Sequence, residues 1–223
     1  ARAEREPAYA LAYRTDVLAE FLAPEEALFA DEELKAVTRS EPVDLPPEPR
    51  HDYVAAMDPA TRRNAWTLVL MTREGRIARV CVARQWVPTG DEPLRPKQVL
   101  SEIAATCRLY GVTTVETDQY YADALRDIAD ELGLTLSVTT YTEEEHARRA
   151  LKVQARVLEK EVELPPVDEF RADLVNVKRR TTNTGLAIQL VRTRDGRHAD
   201  YWPAFIRAMA RYLDDVSPAP ADE

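Results

Sequence analysis

Residues 112–138 hold a strand, a helix and a strand in direct succession, and this unit limits the chain to a narrow set of folds. Val112-Thr113-Thr114-Val115-Glu116-Thr117-Asp118 reads as a strand that ends in acid. Behind it Tyr121, Ala124, Leu125, Ile128, Ala129 and Leu132 recur at the spacing of one helix face, and Gly133 closes the helix. Leu134 to Val138 is then a short second strand. A connection of this length returns the second strand parallel to the first through a right-handed crossover, because a right-twisted strand feeding a right-handed helix packs back only that way. The sheet is therefore at least partly parallel, and the architecture is α/β.

An antiparallel part precedes that unit. Tyr53-Val54-Ala55-Ala56-Met57-Asp58-Pro59 is an apolar run ending in a carboxylate, and its proline cannot continue a central strand, so Asp58 emerges at a sheet edge. Aspartate before proline also suits a plain turn. Ala65 to Met71 and Ile77 to Trp86 add two apolar segments around the turn-like Thr72-Arg73-Glu74-Gly75-Arg76, which makes a three-strand meander. Val99, Ile103, Ala104 and Cys107 to Tyr110 predict a helix closed by Gly111, and Thr142-Glu143-Glu144-Glu145 has the form of a capping box opening a long covering helix. Val162-Glu163-Leu164 is a short edge segment, Asp168 to Arg180 reads as a helix of rising basicity, and Ala187 to Val191 as a strand. From about Tyr201 a last helix carries Phe205, Ala208, Met209, Tyr212 and Leu213 on one face.

Ahead of this core, residues 1–40 read as a helical lead-in, with Tyr9, Tyr13, Val17 and Phe21 at four-residue spacing. Residues 41–50 read as an extended linker or strap, since four prolines fall within the nine residues Glu41 to Pro49. The core domain is expected over 51–215, with a disordered tail over 216–223. The chain opens without methionine inside a charged helical stretch, so it is expected to belong to a longer polypeptide. A net charge of −9 argues against coating nucleic acid with the whole surface but leaves room for a local basic patch. Cys81 and Cys107 stand far apart, which suits a reducing compartment and gives neither a zinc site nor a disulfide framework. No apolar run approaches the roughly 20 residues of a membrane span, and a soluble, cytoplasmic protein is expected.

Three acids sit where regular elements end: Asp58 after the first strand, Asp118 after the fourth and Asp200 before the last helix. In open α/β sheets the ends of adjacent parallel strands meet at one edge, where ligand sites form, so the three carboxylates can converge. Converging carboxylates repel and hold protons unless a hard cation compensates them. Oxygen-only ligation favours Mg²⁺ or Mn²⁺, and two such ions about 3.5–4 Å apart can activate a water and hold the leaving oxygen in phosphodiester hydrolysis.

The order of these segments resembles the ribonuclease H-like fold, and more narrowly the nuclease domain of the large terminase subunit of tailed phages and prophages. Ala55-Ala56-Met57-Asp58-Pro59-Ala60, Val115-Glu116-Thr117-Asp118-Gln119-Tyr120-Tyr121-Ala122-Asp123-Ala124-Leu125 and His198-Ala199-Asp200 carry the likeness, and Tyr13 to Phe29 resembles the segment that joins the terminase motor to its nuclease. The resemblance implies a metal-dependent DNA endonuclease that cuts concatemeric viral DNA during genome packaging in the host cytoplasm. It implies a two-metal Mg²⁺ or Mn²⁺ site on Asp58, Asp118 and Asp200, with Asp58 bridging. It further implies double-stranded DNA as substrate, and an ATPase domain, a portal and a small terminase as partners. Two departures stand out: Ala199 replaces an acid the family often carries, and Glu116 shares the strand face of Asp118 and competes for the middle role. No phosphate-binding G-x-x-x-x-G-K-[ST] loop is present, so an ATPase would lie outside this chain. Between Arg171 and Arg197 seven Lys or Arg face two Asp, a local net of +5, and Lys178, Arg179, Arg180, Arg194 and Arg197 are the candidate DNA contacts. The competing readings are another ribonuclease H-like nuclease, such as a transposase or junction resolvase, and a catalytically silent α/β module that docks on a partner.

Overall fold

The computed structural model describes residues 26–90, 92–182, 185–192 and 198–213. Along them a short strand β1 (Glu26–Ala27) and helix α1 (Asp31–Ala36) lead into the meander β2 (Val54–Asp58), β3 (Trp66–Glu74) and β4 (Ile77–Trp86). Helix α2 (Pro96–Leu109) is followed by the crossover unit β5 (Thr114–Thr117), α3 (Gln119–Glu131) and β6 (Thr135–Val138). The chain then forms α4 (Glu143–Leu158), β7 (Val162–Glu163), α5 (Asp168–Val175), the antiparallel pair β8 (Val177–Thr182) and β9 (Gly185–Leu190), and α6 (Tyr201–Leu213).

The main sheet has the order β6-β5-β2-β3-β4-β7, antiparallel within the meander and parallel between β2, β5 and β6. Both of its faces are covered, and strand alternation shows how. Ala55 and Met57 of β2 face a core with α2 and α3, while Ala56 between them faces the core built on α4, α5 and α6. Small residues at 55 and 56 let helices approach this central strand on both sides. The period of two breaks once: a register shift at Leu70/Met71 makes the consecutive Cys81 and Val82 face the same core, the expected effect of a bulge. Helix α6 is apolar around most of its circumference and packs on β2 and β3, so its start lies at the same sheet edge as the end of β2.

Three expectations need correction. The helix expected over Asp168 to Arg180 stops at Val175, and 177–182 is strand β8, which pairs with β1 and β9 in a separate three-stranded sheet. Partners distant in sequence supply that ladder, so local basicity gave no sign of it. The strand expected over 112–118 is confined to Thr114–Thr117, because Asp118 leaves the ladder to cap α3. The described part of the lead-in is also core material: Leu28, Phe29, Leu34 and Val37 are buried, and β1 adds to β8. The rest of it (1–25), Arg194, Arg197 and the tail lie outside the described residues.

The proline-rich stretch is a strap. Arg39, 7% exposed at its side chain, donates to Pro42 O (2.6 Å), Val43 O (2.6 Å) and Val80 O (2.8 Å) and pairs with Glu163. Leu45 N–H donates to Cys81 O (2.9 Å) and Tyr110 Oη to Leu45 O (2.5 Å). A segment without internal hydrogen bonds is thus held by side chains and by the sheet. Among the described residues no helix is long and apolar enough to cross a membrane.

Candidate active site

Asp58 is the last residue of β2, pairs in register with Thr67 of β3, and keeps 22% of its side chain exposed. On the far side of β2, Ala56 pairs with Glu116 of β5. Neighbours across a ladder point the same way, so Glu116 and, two residues on, Asp58 look toward α6. Asp118 sits at the end of β5 as the N-cap of α3, with Oδ1 accepting from Tyr120 N–H at 3.1 Å. Asp200 arrives from the other direction: it precedes α6, is 3% exposed, and accepts from Ala65 N–H through Oδ2 (2.9 Å) while its carbonyl accepts from Thr67 Oγ1 (2.9 Å). The start of α6 is therefore tied to the loop between β2 and β3 and to the first residues of β3.

These ties bring the three acids together electrostatically. Burial pushes the Asp58 carboxyl up to about 7; Arg207 opposes the rise, and the charges of Asp118 and Asp200 add to it. Asp58 and Asp118 line one cleft of about 340 Å³, whereas Asp200 is packed behind it. Glu116 lines a second cleft of about 410 Å³, with Arg50, His51, Arg73 and Arg211. Its pKa is raised by burial, and a Thr139 hydrogen bond opposes the rise. Of the two candidates for the middle acid, Asp118 is the one that shares a cleft with Asp58. Among the described residues no three Asp, Glu, His or Cys side chains meet closely enough to hold an ion as they stand.

The cleft also holds residues that belong to no motif of the sequence. Arg207 reaches Asp58 from α6, Nη1 to Oδ1 at 3.8 Å, and lies seven residues, two helical turns, after Asp200. That i, i+7 spacing from an acid at a helix start was the available signal. His146 of α4 also lines the cleft; its Nε2 accepts from Trp202 Nε1–H at 3.0 Å, and burial lowers its pKa, as does the nearby Arg207 charge. The Thr142 and Glu145 arms of the capping box both form, and the first turn of α4 beside them borders the same cleft.

The basic run is divided by its strand. Arg179 points with its cross-strand neighbour Ile188 toward the core side of the small sheet, and its Nε and Nη2 both bind Glu26 Oε2, at 3.0 and 2.5 Å. Lys178 and Arg180 lie on the opposite face by alternation. Strand β9 packs on α4, the helix whose start borders the cleft.

No protein-family model matches the chain, and no curated protein matches it by sequence. Solved structures do match. The HK97 bacteriophage large terminase aligns with a TM-score of 0.69 at 15% identity over 94% of this chain and 48% of that one. The large terminase nuclease from thermophilic phage G20c aligns with a TM-score of 0.63 at 14% identity, over 83% and 98%. The Thermus phage P74-26 large terminase nuclease domain gives 0.62 at 14% identity, over 85% and 97%. The G20c nuclease has also been solved with bound magnesium, cobalt and zinc. The chain has the ribonuclease H-like fold of these nuclease domains, and it spans about half the length of the HK97 protein.

Proposed function

We propose that this chain is the nuclease part of a large terminase, a divalent-metal-dependent endonuclease that cuts concatemeric viral DNA during packaging. The observation that carries the reading is the cleft shared by Asp58 and Asp118 at one edge of a sheet with this fold, with Asp200 near enough for its charge to act on Asp58. The donor set is carboxylate oxygen, which suits Mg²⁺ or Mn²⁺, and a carboxyl held near 7 by burial and by other acids is one whose charge a cation would stabilise. Asp58, Asp118 and Asp200 would hold the ions, with Glu116 as the alternative to Asp118. When bound, such ions polarise phosphoryl oxygens and make a water molecule acidic enough to attack. The chain itself orients: Asp118 is fixed by its cap bond and Asp200 by Ala65 N–H, so both carboxylates stand in place before substrate arrives. Double-stranded DNA is the proposed substrate, and an ATPase motor, portal and small terminase are the proposed partners of the longer polypeptide.

The test is cleavage of supercoiled plasmid with Mg²⁺ or Mn²⁺ and an EDTA control. Asp58→Asn, Asp118→Asn and Asp200→Asn are each expected to slow cutting about a thousandfold or more. Asparagine keeps the cap at 118 and an acceptor for Ala65 at 200, so the loss reports charge and not folding. Full activity in Asp58→Asn would sink the site. Full activity in Asp118→Asn with loss in Glu116→Gln would move the middle role to Glu116. One observation favours the silent docking module: Asp200 already spends Oδ2 on a backbone N–H. Under that reading neither ion alters thermal unfolding.

Lys178 and Arg180 are the proposed phosphate contacts; Arg194 and Arg197, the further candidates, lie outside the described residues. The double variant Lys178→Ala/Arg180→Ala is expected to bind DNA less tightly, with a salt slope reduced by about 2, since each phosphate contact contributes about 0.9. Arg179→Ala should instead lower stability through the lost Glu26 pair. A double variant with the parent's affinity between about 50 and 200 mM salt leaves these residues as solvated surface.

A further inference from the structure

Arg207 is placed as a counter-ion that is held without being locked. Its side chain is only 12% exposed, and its Nη1 donates to Pro203 O at 3.1 Å. The distance to Asp58 Oδ1, 3.8 Å, is well beyond the roughly 2.8 Å of a formed guanidinium–carboxylate hydrogen bond. Its Nε is buried with no hydrogen-bond partner. A guanidinium carries five donors in a rigid fork, and a structural arginine at this depth normally satisfies them, as Arg39 does with three carbonyls and Glu163. Arg207 does not. Beyond the Pro203 bond it stands among acid, and its charge acts on Asp58 and on Glu116.

We propose that Arg207 supplies the counter-charge to Asp58 whenever no divalent ion is bound, and that it must withdraw from Asp58 for an ion to load. The inference rests on the metal-dependent reading given above and adds to it a residue that sets the affinity for the ion. The geometry makes withdrawal inexpensive, because one long ion pair is lost and an orphaned Nε–H gains the chance of a partner. By linkage, a cation that stabilises the ion-free cleft weakens binding of the ion, and removing it strengthens binding.

Mn²⁺ binding to the full 223-residue chain, measured by calorimetry on the parent, Asp58→Asn, Arg207→Gln and Arg207→Lys, tests this. Arg207→Gln is expected to bind Mn²⁺ about tenfold more tightly than the parent, and Arg207→Lys, which keeps the charge, to stay near the parent. Should the glutamine variant not fold, the parent alone decides: saturating Mg²⁺ is expected to move the NMR signal of Arg207 Nε–H. If the parent binds Mn²⁺ in a way that Asp58→Asn abolishes, yet Arg207→Gln binds no tighter or the Nε–H signal stays still, the counter-ion role is overturned while the nuclease reading stands. If no variant binds Mn²⁺, both are overturned.

Discussion

Asp58→Asn is expected to raise the stability of the metal-free protein above neutral pH while it abolishes cleavage. In the unfolded chain Asp58 ionises at its ordinary value of 3.8, whereas in the fold it holds its proton up to about 7. A raised folded-state pKa contributes stability that is fully present below the unfolded value and is lost as pH rises through the folded one. Across that window, roughly pH 4 to 7, the loss amounts to about 4–5 kcal/mol, at about 1.4 kcal/mol for each pKa unit. Asparagine cannot ionise, so the variant lacks this decline. Thermal unfolding in EDTA at a series of pH values checks it: the parent should fall relative to Asp58→Asn as pH climbs from about 4 to 7, run parallel to it above that, and converge with it toward pH 4. Saturating Mg²⁺ at pH 8 should then rescue the parent and leave the variant unchanged, because only the parent has a carboxylate at the position proposed to bridge the ions. Parallel profiles in EDTA would mean that Asp58 is well solvated and that the cleft imposes no charge cost.

The second large effect lies at a residue that takes no part in the chemistry. Asp173 of α5 is fully buried, and its Oδ2 accepts from Tyr201 N–H at 2.9 Å, the first backbone donor of α6. A carboxylate at a helix N-terminus satisfies an orphan N–H and faces the positive end of the helix dipole. Asp173→Ala is expected to cost about 3 kcal/mol, most of it from leaving a buried donor without an acceptor. Asp173→Asn keeps an acceptor and should cost about 1 kcal/mol. Because α6 begins one residue after Asp200 and carries Arg207, the alanine variant should also lose activity in the fraction that remains folded. Urea unfolding decides it: parent-like stability in Asp173→Ala would show that other groups fix the start of α6.

Much of the fold was legible because its signals are local. The crossover unit around Gly133, the meander before and after Gly75, and both arms of the Thr142 capping box depend on residues a few positions apart. Asp58 was legible for the same reason, an apolar run that ends in acid before proline. What misled was local too. The run from Asp168 to Arg180 has the composition of a basic helix, yet Lys178, Arg179 and Arg180 alternate across a strand whose partners are Glu26, Ala27 and β9. Three adjacent charges therefore face two different sides, and one of them is spent on Glu26.

The sequence by itself determined where each carboxylate stands along the chain and which element it ends, since hydrophobic period, caps and turn residues act over one or two helical turns. Only the tertiary structure decided what each carboxylate experiences. Asp118 is held by its near neighbour Tyr120, but Asp58 is pushed up to about 7 in a site shared with Asp118, Asp200 and Arg207, 60 to 149 positions away, and Asp200 is buried against Ala65, 135 positions away. Desolvation and Coulomb interactions fall off with distance in space and not with distance in sequence, so the charge state of a site exists only once α6 has been laid across β2 and β3.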